Sequence, residues 1–418
     1  MLKKASVMIV LVLLITVSFS QLLGSAETNI SETKTKGTTL YVGGTGTGNY
    51  SSVHDAYRNC SDGDTIFIYN GVYVWRPWSC IDVDKNNITF CGEDMMLTIM
   101  DGQNEMRDAY FIFYGDNIVL KNIYFRPNED DWVGGGPRLL HVSGKNMHIE
   151  NCYFEAAIGG FYVKNDGFVI RNSTIEKMTV SPAIGICPSG NEYYENFVVD
   201  NNSFYDDVRM AITTSRLYNV TVSNNVFNGS ALLADDDPYN DLKFNPGSIT
   251  GLTITNNVFI DLDYVMVGHD GYQASANDVL IEGNEFCRSV LELWFSENIT
   301  VSHNVFEGCD ESMRIGYCKN VEIVRNDLVD GGSYGIFLED RVDHVEIAEN
   351  NFEIQRQEIS FKLDKDQYSP SDFSIADNYY ARRFFRFKIF WGNIGPPWGY
   401  FCLALRFDET PADEPFDV

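Results

Sequence analysis

Glu292, Trp294, Arg314 and Glu339 have the types and spacing to hold a sugar ring. Trp294 follows Glu292 by two residues, and Arg314 and Glu339 fall at matching points of the next two repeats. Gly268 and Gly316 occupy the position of Trp294 on the repeats before and after, so an outward indole there would have an uncovered face. Such a platform beside carboxylates and a guanidinium combines apolar contact with hydrogen bonding. His269 and Asp270 complete the candidate ligand-binding set. A purely structural reading of the same residues buries Trp294 under the 270–277 loop. It leaves Glu292 and Arg314 as a cross-strand ion pair contributing under ~1 kcal/mol.

What positions them is a repeat. Asn219-Val-Thr-Val-Ser-Asn-Asn-Val-Phe227 alternates apolar and polar residues, pauses at an Asn pair and resumes with an aromatic. Eleven such units run from Asn117 to Tyr380 at spacings of 20 to 32 residues. Fixed-phase repetition at this length, with period-2 alternation, predicts a β-solenoid. Asn202, Asn225, Asn257, Asn284, Asn304, Asn326, Asn350 and Asn378 form a column two residues before the closing aromatic or aliphatic. Asn tolerates left-handed corners, and stacked copies pass amide hydrogen bonds from coil to coil, so this column is scaffold. Ile123, Cys152 and Ser173 stand there in the first three units, with Asn one residue earlier, so the column is expected to change phase near residue 200.

The ends and the charge set the context. Met1-Leu-Lys-Lys4, the apolar Val7 to Phe19 and Gly24-Ser-Ala26 have the pattern of a secretory signal over 1–26. The apolar run of about 13 residues is shorter than the ~20 that span a bilayer, so no membrane segment is expected after cleavage. A polar linker over 27–38, an N-terminal cap over 39–62, repeats over 63–380 and an aromatic C-terminal cap over 381–418 follow. Ser52-Val-His-Asp55 opens the helix of the first cap. With 31 Lys and Arg against 59 Asp and Glu, the net charge of −28 argues against nucleic acid or an anionic membrane as partner. No cofactor is implied; calcium is the cation this acidic surface could take, although Glu129-Asp-Asp131 and Asp235-Asp-Asp237 lack calcium-loop spacing. The nine cysteines include no C-x-x-C pair, and Cys287, Cys309 and Cys318 lie close enough in the repeat for one bridge.

Tyr41-Val-Gly-Gly44, Asp62-Gly-Asp-Thr-Ile-Phe-Ile68, the Asn-Asn-x-Phe repeats and the ending Asn378-Tyr-Tyr380 to Pro415-Phe-Asp417 resemble secreted archaeal right-handed parallel β-helix proteins. These are the NosD-like branch of the pectin-lyase-like superfamily. The resemblance spans nearly all of 39–418 and implies an all-β, single-stranded right-handed parallel β-helix with ligands along one sheet. That sheet is the one built from the strand before each Asn-bearing strand. Its outward register reads Tyr162, Gly185, Ala211, Met266, Glu292, Arg314, Phe337, with Lys164, Cys187, Thr213, Gly268, Trp294, Gly316, Glu339 two residues on.

The superfamily's known chemistries can be tested on these columns. Neither has the stacked Asp of a calcium-dependent lyase. The hydrolase set is missing, with Gly268-His-Asp-Gly271 touching only part of it, and Tyr334-Gly-Ile-Phe-Leu-Glu-Asp340 departs from the epimerase motif. No His or Met cluster offers soft ligands for copper. The expectation is a secreted or cell-surface protein that binds polysaccharide or cell-envelope glycan without catalysis. Two alternatives stand beside it: a structural or adhesive rod, and a lyase or glycoside hydrolase using Glu292, Arg314, Glu339 and His269-Asp270.

Overall fold

Each turn of the chain makes three short strands, because runs of three to eight alternating residues are punctuated by Asn, Asp and Gly at the corners. The computed structural model describes residues 37–381 except 76–79, 103–108, 127–137, 158, 179–183, 187–192, 206–209, 214–215, 230–240, 246–247, 269–274, 354–356 and 364–372. It also describes 408, 410–412, 414–416 and 418. Stacked turns give three sheets. Sheet A has 14 strands, from Thr39–Val42 to Phe373–Ala376, sheet B has 13, from Gly71–Val74 to Tyr379–Tyr380, and sheet C has 12, from Ile81–Val83 to Gln357–Leu363. Neighbouring strands within each sheet are parallel, as in Val220↔Leu252↔Val279↔Ile299 of sheet A. This is the parallel β-helix that the repeat predicts.

The core is a set of columns. Ile170, Val199, Val222, Ile254, Ile281, Val301 and Ile323 line sheet A from within. Phe204, Phe227, Phe259, Phe286 and Phe306 stack face to face behind sheet B, centroids 4.5 to 5.3 Å apart. Between these columns, at the A–B corner, the interior Asn ladder runs through the eight positions read from the sequence, all at most 2% exposed. Asn225, for example, donates through Nδ2 to Asn257 Oδ1 (2.9 Å) and to the Val199 carbonyl (2.8 Å). Its Oδ1 accepts from the Asn202 backbone N–H.

Two details of that column differ from expectation. The left-handed residue is the one before each interior Asn: Asn201, Asn224, Asn256, Gly283, His303, Arg325, Glu349 and Asp377 have φ between 53° and 66°. Asn122, Asn151 and Asn172 belong to this left-handed column, so the phase does not change near residue 200. Two adjacent columns exist throughout, and the interior one switches from Ile123, Cys152 and Ser173 to Asn. Ser173 joins the ladder, accepting from Cys152 N and donating its own N–H to Asn202 Oδ1.

Both ends of the ladder region are closed by specific contacts. Helix Val53–Asn59 is capped by Ser52, whose Oγ accepts from Asp55 N (3.1 Å), and it buries Val53, Ala56 and Tyr57 over the first coils. At the far end Asp408 Oδ2 accepts from Asn378 N and Nδ2 and from the Tyr380 hydroxyl. The Phe416 backbone pairs with the Asn351 amide. The aromatic stretch 382–407 and the secretory pattern and linker up to residue 36 lie outside the described residues. Among the described residues no helix is long and apolar enough to cross a membrane.

Candidate functional site

The outer face of sheet C carries the predicted register with one coil added. Strand Asp241–Asn245 pairs with Met210–Thr213 on one side and Tyr264–Val267 on the other, so Lys243 enters the column between Ala211 and Met266. It is the strand before the Asn-bearing unit Leu252–Phe259, a coil that the outward register read from the sequence passes over between Ala211 and Met266. From Met266 onward the register holds: Met266↔Glu292↔Arg314↔Phe337, with Trp294↔Gly316↔Glu339 alongside.

Arg314 is the centre. Its Nη2 lies 2.9 Å from Glu311 Oε2 and its Nη1 3.7 Å from Glu292 Oε1. The guanidinium carbon sits 5.6 Å from the Phe337 ring centroid, and Tyr334 packs against Phe337 at 5.1 Å. Arg314 Nε is buried without a hydrogen-bond partner. Of Arg314, Glu311 and Glu292, Glu292 is the most enclosed, its side chain 13% exposed. Burial pushes its pKa above the usual Glu value, and Glu311 and Glu339 push the same way; the Trp294 N–H and Arg314 oppose the shift.

Trp294 is not the open platform that its glycine neighbours suggest. Its side chain lies across Gly316, where a Cβ would stand 2.3 Å from Trp294 Cζ3, and it is only 9% exposed. Its Nε1–H donates to Glu292 Oε2 at 3.2 Å. Gly316 therefore covers one face of the indole instead of freeing it, and Trp294 acts by orienting Glu292. The exposed aromatic surface passes to Phe337 and Tyr334, both half-buried. His269 and Asp270 lie outside the described residues. Glu339 stands two strands beyond Glu292 and is felt there as charge.

Glu311 is the member sequence reasoning missed. Three residues before Arg314, it should point to the opposite side of a regular strand. Ser312 and Met313 are instead both buried, so alternation breaks and Glu311 returns to the side of Arg314. Two successive small or apolar residues at a strand start were the available signal.

Cys287, Cys309 and Cys318 are free thiols, so the bridge that their place in the repeat allows is not formed. Cys309 and Cys318 are enclosed and donate to the Ser289 and Gly316 carbonyls, while Cys287 stands on the outer side of sheet B. There, Glu285, Cys287 and Glu307 bring one donor atom each within 4.8 Å of one another.

Residues 247–381 match the family model described as periplasmic copper-binding protein (NosD). The match covers about a third of the chain and includes the whole Arg314 cluster. A sequence comparison with characterised proteins finds no match. Among solved structures, the chain is similar to the A-module of the mannuronan C-5 epimerase AlgE6 of Azotobacter vinelandii. That likeness has 13% identity and a TM-score of 0.40, covering 78% of this chain and 87% of that one. It is also similar to a PL6 alginate lyase in complex with a trisaccharide (14%, 0.43, 90% and 93%) and to the catalytic domain of a GH87 α-1,3-glucanase (12%, 0.46, 82% and 68%). At these identities and scores the chemistry has to be argued from this chain's own residues.

Copper, which the NosD description implies, does not fit the donors present. Among the described residues the grouping of His, Cys, Asp and Glu within ligand reach is Glu285, Cys287 and Glu307, one sulfur with two hard oxygens and no imidazole. Burial and the two carboxylates push the Cys287 thiol up to about 12, away from the thiolate a soft metal needs.

Proposed function

We propose that these NosD-like coils bind carbohydrate on the outer face of sheet C, around Arg314, and that the protein works outside the cytoplasm. The observation that carries the reading is the juxtaposition of half-buried Phe337 and Tyr334 rings with the fixed Glu292–Arg314–Glu311 array. Ring faces give apolar contact to the C–H faces of a sugar, and the carboxylates accept from its hydroxyls. Parallel strands hold these groups in place, so little ordering entropy is lost on binding. The extracytoplasmic location rests on the secretory pattern over 1–26 and agrees with the periplasmic description of the matching family.

Binding, not cleavage, is the reading the carboxylates favour. Arg314 holds both Glu292 and Glu311, whereas glycoside hydrolysis needs an acid and a second carboxylate free to act. Glu339, two strand spacings from Glu292, is about 10 Å along the stack, beyond the ~5–9.5 Å of such pairs.

Affinity electrophoresis of the purified protein through a panel of polysaccharides tests this. We expect retardation by at least one glycan, reduced at least about tenfold in Phe337→Ala and Arg314→Ala, with no new reducing or unsaturated ends. Retardation by none, or equal retardation of both variants, would refute the reading.

A further inference from the structure

Resting on that reading of the sheet C face, we infer that the glycan held around Arg314 carries no carboxylate groups: it is a neutral or amino-sugar polymer, not a polyuronate.

A carboxylate docks on arginine in two bidentate ways, end-on across Nη1 and Nη2 or side-on across Nε and one Nη. In this structure Nη2 is held by Glu311 and Nη1 lies 3.7 Å from Glu292, so a carboxylate arriving end-on would meet both. Nε is buried, and the Nη beside it on a side-on approach faces one of the same two carboxylates. The guanidinium carbon lies over the Phe337 ring. An incoming uronate would meet one of these carboxylates at either bidentate edge.

The charges around it point the same way. Glu292 and Glu311 flank Arg314, and Glu311 and Glu339 both disfavour ionised Glu292. A uronate would have to displace Glu292 or Glu311 and then stand beside the carboxylate it displaced. Hydroxyls and ammonium groups meet no such cost, because they donate to carboxylates already fixed in place. Discrimination of this kind works by repelling the wrong ligand, and an overall charge of −28 extends it to longer range.

The test compares a neutral glucan set and chitosan with polygalacturonate and alginate, by affinity electrophoresis and calorimetry at about 0.15 M salt. The expected result is that the best neutral or amino glycan binds the wild-type protein at least about tenfold tighter than either polyuronate. Glu311→Gln releases Nη2 and is expected to raise polyuronate affinity about tenfold, the equivalent of one charge-assisted hydrogen bond. Glu339→Gln removes a negative charge felt at Glu292 and should raise it by less. Melting curves confirm that both variants are folded.

Polyuronates binding as well as the best neutral glycan would overturn the inference and leave carbohydrate binding standing. So would a Glu311→Gln variant whose preference is unchanged. Failure of every glycan in both sets would remove the proposed function, and this inference with it.

Discussion

Asn284→Ala tests the interior ladder at its middle. Asn284 Nδ2 donates to the Ile254 carbonyl (2.8 Å), the Glu282 carbonyl (3.2 Å) and Asn304 Oδ1 (2.9 Å). Its Oδ1 accepts from the Asn257 backbone N–H (2.9 Å) and Nδ2 (3.0 Å). Truncation removes all five bonds and strands the Asn257 N–H in a corner only 1% exposed. An unmet buried group costs about 1–3 kcal/mol, and the Ile254 carbonyl also loses its side-chain donor, so the expected loss is about 4 kcal/mol. The left-handed neighbour gives the contrast. Asn256 has φ of 56° and an exposed side chain, so Asn256→Ala should cost only about 1 kcal/mol, the penalty of a Cβ in that conformation. Urea unfolding followed by circular dichroism measures both from the midpoint and slope. Equal losses for the two variants, or under about 1 kcal/mol for Asn284→Ala, would refute the assignment of cohesion to the interior column. Asn284→Ser should recover part of the loss, since Ser173 already serves in that column.

Three further outcomes follow from the same structure. Gly316→Ala places a Cβ 2.3 Å from Trp294 Cζ3, so the indole must lift; we expect a red-shifted tryptophan emission and a loss of about 1–3 kcal/mol in the melt. Glu292 has its folded pKa raised above the ordinary 4.5, so the folded state holds the proton more tightly. Its contribution is fully present below pH 4.5 and lost as pH rises through the folded pKa, so the stability of wild type relative to Glu292→Gln should fall as pH rises above 4.5. Cys287, with its thiol pushed up to about 12 first by burial and then by Glu285 and Glu307, should alkylate at pH 8 more slowly than a free thiol; Glu285→Gln should speed it.

Much of this molecule was legible in its sequence. Period-2 alternation over a repeat of 20 to 32 residues determined the parallel coil, which residues face inward, and the columns beside Glu292, Arg314 and Phe337. Those features depend on local spacing alone, because a strand can bury only alternate residues. The eight interior Asn were legible for the same reason, as was Ser52 as the cap of the first helix.

Tertiary structure decided what neighbouring coils do to one another. It placed left-handed geometry one residue ahead of the interior Asn, laid Trp294 over Gly316, and paired strand Asp241–Asn245 between Met210–Thr213 and Tyr264–Val267, where the register read from the sequence leaves a coil out. It also turned Glu311 back toward Arg314, completing the array on which the proposed glycan site rests. Each of these depends on groups in contact across coils or around a corner, where local periodicity no longer fixes the direction of a side chain.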